Sequence, residues 1–311
     1  MTYNRSDNSL VSVVIPLFNA GPWIRETLAS VAAQTHEVHE CIVVDDGSTD
    51  DGPDIVREVQ QDRSLPLTLI EIQHSGVSVA RNTGIAATSG DFVALLDSDD
   101  VWSERKLECQ VATLQRTGAI MCTTGYALFE SETRKVKGVV TFRRPDQAIR
   151  RWLAMEGNGL AISSTALFRR SEVENAENFD QRVSIGEDLE FTLRMSGGGA
   201  VIADRRILVG VRTHTAQAHR NLENMSANIA ALYDLLPIEK FGLSFAKRCR
   251  SNLDAHVGYS LLARRRPGEA AIGLVSALRR DPRRLVTLPI YALGRRIVRR
   301  SRVFLTRVFV W

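Results

Sequence analysis

The stretch FVALLDSDDVW, residues 92–102, joins five apolar residues to three carboxylates in four positions and then to a tryptophan. A short apolar run of this kind reads as a strand covered on both faces, with the acids just past its end. Repulsion among the acids must be offset by water, basic side chains or a cation, and the surrounding sequence narrows the choice. Upstream, VSVVI (11–15), CIVV (41–44) and LTLIEI (67–72) have the same apolar, β-branched character. The segments 23–34, 51–61 and 77–87 between them are long enough for crossover helices. The order β-α-β-α-β-α-β predicts an α/β fold with an open parallel sheet. All four strands then end on one edge, the edge on which open α/β folds bind ligands. Residues 16–19, 45–48, 74–76 and 97–99 gather there, so polar and acidic groups line one rim. A solvated loop edge would have the same composition.

Beyond residue 102 the pattern predicts shorter strands of mixed direction at 119–124, 165–168, 201–203 and 207–211. GEDLEFTLRM (186–195) reads as a short helix entered through acids. Acids in a first turn are favoured by the helix dipole, which is one explanation for Glu187 and Asp188. From about residue 216 the pattern is helical, with a hairpin at 259–263 and 267–280 and Pro267 suited to a helix start. The expected organisation is an α/β domain over 1–215, in two halves at 9–102 and 103–215. A helical C-terminal region over 216–311 follows.

The chain has 311 residues, is 44% hydrophobic and carries a net charge of +4. A sizeable core follows from that composition, and wholesale disorder does not. The charge is uneven: residues 264–311 hold 13 Arg against Glu269 and Asp281, a local balance of +11 that leaves −7 for the rest. Cys41, Cys109, Cys122 and Cys249 are far apart without metal-ligand spacing, as suits free thiols in a reducing cytoplasm. The polar opening MTYNRSDNSL lacks the apolar core of a signal peptide. No run approaches the ~20 apolar residues needed to cross a bilayer.

The segment from Arg295 to Trp311 deserves a helical projection. Arg295, Arg296, Arg299, Arg300, Arg302 and Arg307 fall within about 160°, opposite Ile297, Val298, Phe304, Leu305, Val308, Phe309 and Trp311. Such a helix suits an anionic membrane surface, and it suits docking on the protein's own body equally. No aromatic-interleaved basic motif of nucleic-acid binding is present. The expected location is cytoplasmic, peripheral on the inner face of the membrane.

Four motifs occur in one order: VSVVIPLFN (11–19), CIVVDDGSTDDG (41–52), SGVSVARNTGIAATSGDFVALLDSDDVW (75–102) and GEDLEFTLR (186–194). Each sits at an expected strand end or helix start. Together they resemble the family 2 glycosyltransferases, inverting enzymes of the GT-A fold, over about two-thirds of the chain. The resemblance implies a single-sugar transfer from a nucleotide sugar, with UDP as the expected nucleotide, to a glycan or lipid-linked acceptor in cell-surface polysaccharide synthesis. It makes 9–102 the donor half and 103–215 the acceptor half of a GT-A domain over 1–215.

Chemistry independently favours the same residue types. A departing diphosphate accumulates negative charge, which a divalent cation relieves, and hard oxygen ligands suit Mg²⁺ or Mn²⁺. By the resemblance Asp99 is the direct ligand, with Asp97 near the ribose or a metal-bound water; Asp100 is expected to cap a helix from Val101 onward. The family's nucleoside platform maps to Pro16, Phe18 and Asn19. Phe18 stands where Tyr is usual, so it can stack without offering a hydroxyl. Asp46 maps to the acceptor for a uracil N–H, and Arg81 to a basic residue beside the nucleotide. Inversion needs one base to deprotonate the acceptor hydroxyl; it maps to Asp188, with Glu187 as the alternative. Arg212 and His214 resemble a downstream Arg-x-His element, which puts both among the nucleotide-binding residues; His214 would meet the diphosphate or complete the metal shell, unless it is simply structural.

The Gln-x-x-Arg-Trp motif of processive members is absent, since IRRWLA (149–154) has no Gln three before Arg151. The loop PLFNAGPW (16–23) lacks Gly-x-Gly-x-x-Gly, which argues against a dinucleotide-dependent oxidoreductase. The alternative is a catalytically inactive nucleotide-sugar-binding or scaffold subunit of a membrane glycan assembly. The intact motifs count against it.

Overall fold

The computed structural model describes residues 9–142, 144–154, 162–183, 186–195, 199–214, 230, 232–235, 238, 242–263 and 265–282. The segment 295–311 and residues 155–161 lie outside the described residues. The chain divides into two compact units, one from 1–146 and 161–214, the other from 147–160 and 215–311. Residues 147–160, read from the sequence as part of the acceptor half, thus group with the helical unit.

The first unit opens with β1 (Val11–Leu17), α1 (Gly21–Ala32), β2 (Val38–Asp45), α2 (Gly52–Gln61), β3 (Leu67–Glu71), α3 (Val77–Ala86) and β4 (Phe92–Leu95). β1 is buried along its whole length and pairs in parallel with β2 and β4; β2 pairs in parallel with β3. That is the arrangement the apolar runs predict. Helix α3 packs close: a Cβ on Gly84 would lie 2.4 Å from Val14 Cγ1. The missing side chain lets Ala80 join Ile42 and Val44 in one cluster.

The second half is mixed. It adds β5 (Val101–Trp102), α4 (Lys106–Thr117), β6 (Met121–Glu130), β7 (Val136–Val140) and α5 (Pro145–Leu153), then α6 (Ile162–Thr165), β8 (Leu167–Arg169), α7 (Arg170–Asn175), α8 (Glu187–Met195) and β9 (Val201–Thr213). The sheet order is β3-β2-β1-β4-β8-β6-β9-β5, with β7 on β6. The two strands expected at 201–203 and 207–211 are one, parallel to β6 throughout. The helix expected from Val101 is instead β5, whose residues are buried and pair antiparallel with β9. Valine and tryptophan favour such a pleated, covered position.

In the second unit α9 (Leu243–Ala263) and α10 (Pro267–Arg280) form the expected hairpin. Their contact uses small residues, Ala255 against Ala277, and Ser251 donates to the Ala277 carbonyl at 2.8 Å. Asn252 donates to the Ala154 carbonyl at 2.6 Å, tying 147–154 to this unit. No helix among the described residues is long and apolar enough to cross a membrane. All four cysteines are free and buried.

Candidate functional site

The sheet edge splits between β1 and β4. Their last bond runs from the Leu96 N–H to the Val14 carbonyl, 3.0 Å. Pro16, which has no N–H to offer, sits just past it, where that flank of β1 needs no donor. It is buried in β1 and pairs with Val44. Phe18 is exposed and stacks on His74, with ring centroids 4.3 Å apart at 20°. Asn19 takes a left-handed φ of 49°, and its Oδ1 accepts from the Thr49 N–H at 2.8 Å. It therefore fastens the loop after β1 to the loop after β2.

Asp46 is bound to the loop that follows β3. Its Oδ1 accepts from the Ser75 N–H at 2.6 Å and its Oδ2 from the Gly76 N–H at 2.9 Å. His74 Nδ1 stands 2.9 Å from the same Oδ2. The carboxylate thus faces the loop that starts α3, at a glycine with φ of 94°.

Arg81 is held among acids. It lies buried on α3, donating from Nη1 to Glu187 Oε1 at 2.7 Å and from Nη2 to Asp97 Oδ1 and Ser163 Oγ, each at 2.8 Å. Burial works against its charge, but Asp97 and Glu187 hold its pKa above the ordinary guanidinium value. Asn82 beside it exchanges two hydrogen bonds with the backbone of Phe179. The Arg-Asn pair therefore joins α3 to the start of the carboxylate turn and to the segment before α8.

Within that turn the acids have separate surroundings. Asp97 is the most open, with 39% of its side chain exposed. Asp99 accepts from, or donates to, His214 Nε2 at 2.9 Å. Burial and the Asp97 charge push its pKa up, and His214 opposes the shift. Asp100 is not a helix cap. Its Oδ1 accepts the Arg212 N–H at 2.9 Å and its Oδ2 the Ser164 hydroxyl at 2.6 Å, and burial holds its pKa well above the usual range. A strand, not a helix, follows it, so there are no first-turn amides to cap.

Arg212 was expected to meet the nucleotide, but its side chain is buried beneath the turn. Nε donates to the Asp99 carbonyl and Nη2 to Glu26 Oε2, both at 2.6 Å. Helix α1 closes the turn from the other side. Thr27 Oγ1 lies 2.9 Å from the Ser98 carbonyl and 2.8 Å from that of Asp100, while Trp23 stacks on His214. The sequence reading missed Trp23, Glu26, Thr27, Ser163 and Ser164. The available signal was the spacing of Trp23, Glu26 and Thr27, which puts an aromatic and two polar groups on one helical face.

Glu187 and Asp188 open α8, where the helix dipole favours acids. Glu187 is held by Arg81, and Asp188 Oδ1 accepts the Leu189 N–H at 2.7 Å. Burial, then the neighbouring Glu187, pushes Asp188 up to about 7, against the pull of Arg81. The structure therefore brings Arg81, Asp97, Glu187 and Asp188 into one electrostatic group, next to Asp99 and His214. Among the described residues no group of three His, Cys, Asp or Glu side chains is arranged as a metal cage. Phe18, Asn19 and Asp46 form a separate cluster on the β1–β2 side of the same rim.

Comparison with known proteins adds to this geometry. Over 124 residues the chain is 39% identical to the putative teichuronic acid biosynthesis glycosyltransferase TuaG of Bacillus subtilis, covering 40% of this chain and 49% of that protein. It is 34% identical over 127 residues to the Escherichia coli UDP-Glc:alpha-D-GlcNAc-diphosphoundecaprenol beta-1,3-glucosyltransferase WfgD, covering 41% and 49%. These matches span about half of each relative's length. Residues 1–349 of S. aureus TarS in complex with UDP-GlcNAc superpose with a TM-score of 0.59 at 19% identity, covering 91% of this chain and 92% of that one. The shared architecture is the GT-A fold. The glycosyl transferase family 2 model matches residues 12–175, just over half of the sequence, and the chain belongs to that family.

Proposed function

We propose that the protein is an inverting, metal-dependent glycosyltransferase that moves one sugar from a nucleotide sugar, a UDP-sugar, to a hydroxyl of a glycan or lipid-linked acceptor in cell-surface polysaccharide synthesis. One observation carries the reading. The buried Arg81 guanidinium spans Asp97 on the donor side and Glu187 beside Asp188. It leaves Asp188 as the acid of that pair without a cation at ion-pair distance among the described residues. A base held near the working pH is what proton abstraction from a hydroxyl requires, and burial supplies that shift.

In this reading the acceptor hydroxyl gives its proton to Asp188 as its oxygen bonds to the anomeric carbon. The bond from that carbon to the diphosphate breaks, and its electron pair leaves with UDP. Glu187 stays paired with Arg81 beside the base rather than acting as one. Phe18 offers an exposed ring face to the nucleobase. Asp99 and Asp97, with His214 beside Asp99, are the groups that would hold Mn²⁺ or Mg²⁺. The two carboxylates are hard donors, and burial together with the Asp97 charge raises the Asp99 pKa, a cost that a cation bound there would relieve. Bound there, such an ion would neutralise charge on the departing diphosphate.

The test is UDP release across nucleotide sugars with Mn²⁺. Asp188→Asn should retain UDP binding while turnover falls by about 10²-fold or more; full transferase activity in that variant would sink the assignment of the base. The lipid-linked acceptor named for WfgD and the basic segment 295–311 together support a site of action at the inner face of the membrane. Deleting 295–311 should reduce sedimentation with anionic liposomes, most clearly at low salt. Unchanged binding would remove that part of the proposal.

A further inference from the structure

We propose that Trp23 is a positioning residue that sets the His214 imidazole against Asp99; the inference deepens the metal reading above and rests on it. A histidine beside a metal site is usually oriented by a hydrogen bond from its second ring nitrogen to a carboxylate, carbonyl or water. Here His214 Nε2 faces Asp99 Oδ2 at 2.9 Å, and the buried Nδ1 has no hydrogen-bond partner among the described residues. Its orientation is therefore not fixed in the usual way. The indole of Trp23 lies against the ring instead, with centroids 3.9 Å apart and 29° between the planes.

The indole is itself tied to the strand end that carries His214. Trp23 Nε1 donates to Ser131 Oγ at 3.1 Å, the Ser131 N–H donates to the Thr213 carbonyl at 3.2 Å, and Thr213 Oγ1 donates to the Phe129 carbonyl at 2.9 Å. β9 ends at Thr213, so the sheet ladder does not reach His214. Stacking on a ring anchored to residues 131 and 213 supplies the restraint that the ladder and Nδ1 do not. Thr27, one turn along α1, holds the Ser98 and Asp100 carbonyls, so the helix fixes both partners of the Asp99–His214 contact.

Two measurements on the full chain test this. In metal-free protein the His214 ring protons should show an upfield ring-current shift by NMR, lost in Trp23→Ala and largely kept in Trp23→Phe. Direct titration of Mn²⁺ in the presence of UDP should show affinity about tenfold weaker in Trp23→Ala, recovered in Trp23→Phe, with no further loss when Trp23→Ala is added to His214→Ala. An unchanged ring-current shift in Trp23→Ala would overturn the proposal. So would wild-type Mn²⁺ affinity in that variant, or an equal loss in the His214→Ala background. Wild-type protein that binds no Mn²⁺ with UDP would overturn the metal reading itself, and the ring-current comparison would still decide whether Trp23 stacks on His214 in solution. Melting curves for each variant separate these effects from unfolding.

Discussion

Replacing Arg81 with Met removes a buried cation from between two acids, and the structure fixes the sign of two separate consequences. The first is stability. Arg81 makes ion pairs with Asp97 and Glu187 and a hydrogen bond with Ser163, and Glu187 has little exposed surface to take up water in exchange. Breaking a buried pair by removing one partner costs about 3–5 kcal/mol. For a unit of this size that corresponds to a melting temperature roughly 10 °C lower. Adding Glu187→Gln removes one stranded carboxylate and should return part of the loss. The second consequence is kinetic. Arg81 lowers the pKa of Asp188 and Glu187 raises it, around a value of about 7. Asp188 acts as a base only when deprotonated, so activity rises with pH through that value. Arg81→Met should move this acidic limb of kcat/KM to higher pH, Glu187→Gln should move it lower, and the double variant should lie between them. The assay is UDP release from pH 5 to 9 with saturating Mn²⁺. Limbs that stay fixed in both single variants would refute the assignment of Asp188 as the titrating base, whatever happened to the rate.

Two further perturbations probe the supports of the site. Lys106 is buried over the Trp102 ring, 3.9 Å from its centroid, and its pKa is lowered by burial to about 7. The unfolded chain therefore binds the extra proton between about pH 7 and 10.5, and folding stability should rise with pH across that window. Lys106→Met should flatten the rise in a series of urea melts; an unchanged slope would show that another group causes it. Thr27→Val keeps the shape but withdraws the hydroxyl from the Ser98 and Asp100 carbonyls, which should cost about 1–3 kcal/mol. It should also weaken Mn²⁺-dependent UDP binding in calorimetry, and undiminished binding would show that the turn keeps its shape without α1.

The donor half was legible because its signals are local. β1 to β4 are short apolar runs, and the helices between them have the length that a crossover demands. The acids past β4 stood out because three charges in four residues need an explanation. What the sequence hid were contacts between distant positions. Asp100 looked like a cap because the residues after it resembled a helix start; its partner, the Arg212 N–H, lies 112 residues away. Arg212 looked like an anion ligand because nothing nearby announced that Glu26 would neutralise it. Asp46 had a family role ready to hand, and only the chain path shows its oxygens turned toward the amides of Ser75 and Gly76. Buried polar pairing of this kind leaves no periodicity, so helical or strand patterning cannot find it. Trp23 escaped for the converse reason: an aromatic on an amphipathic helix reads as core.

The bracing of the carboxylate turn also orders events during synthesis. The amide that satisfies Asp100 and the guanidinium that meets Glu26 both belong to residue 212, which in the second case closes a loop of 186 positions. On a ribosome, the strands and helices of the donor half emerge more than a hundred residues before that partner exists. The nascent chain therefore holds the aspartate cluster, already past β4, with one acid lacking its backbone donor and with no imidazole beside Asp99. The site becomes complete only when the last strand of the sheet slots beside β6, so a partial translation product carries the motif without the geometry.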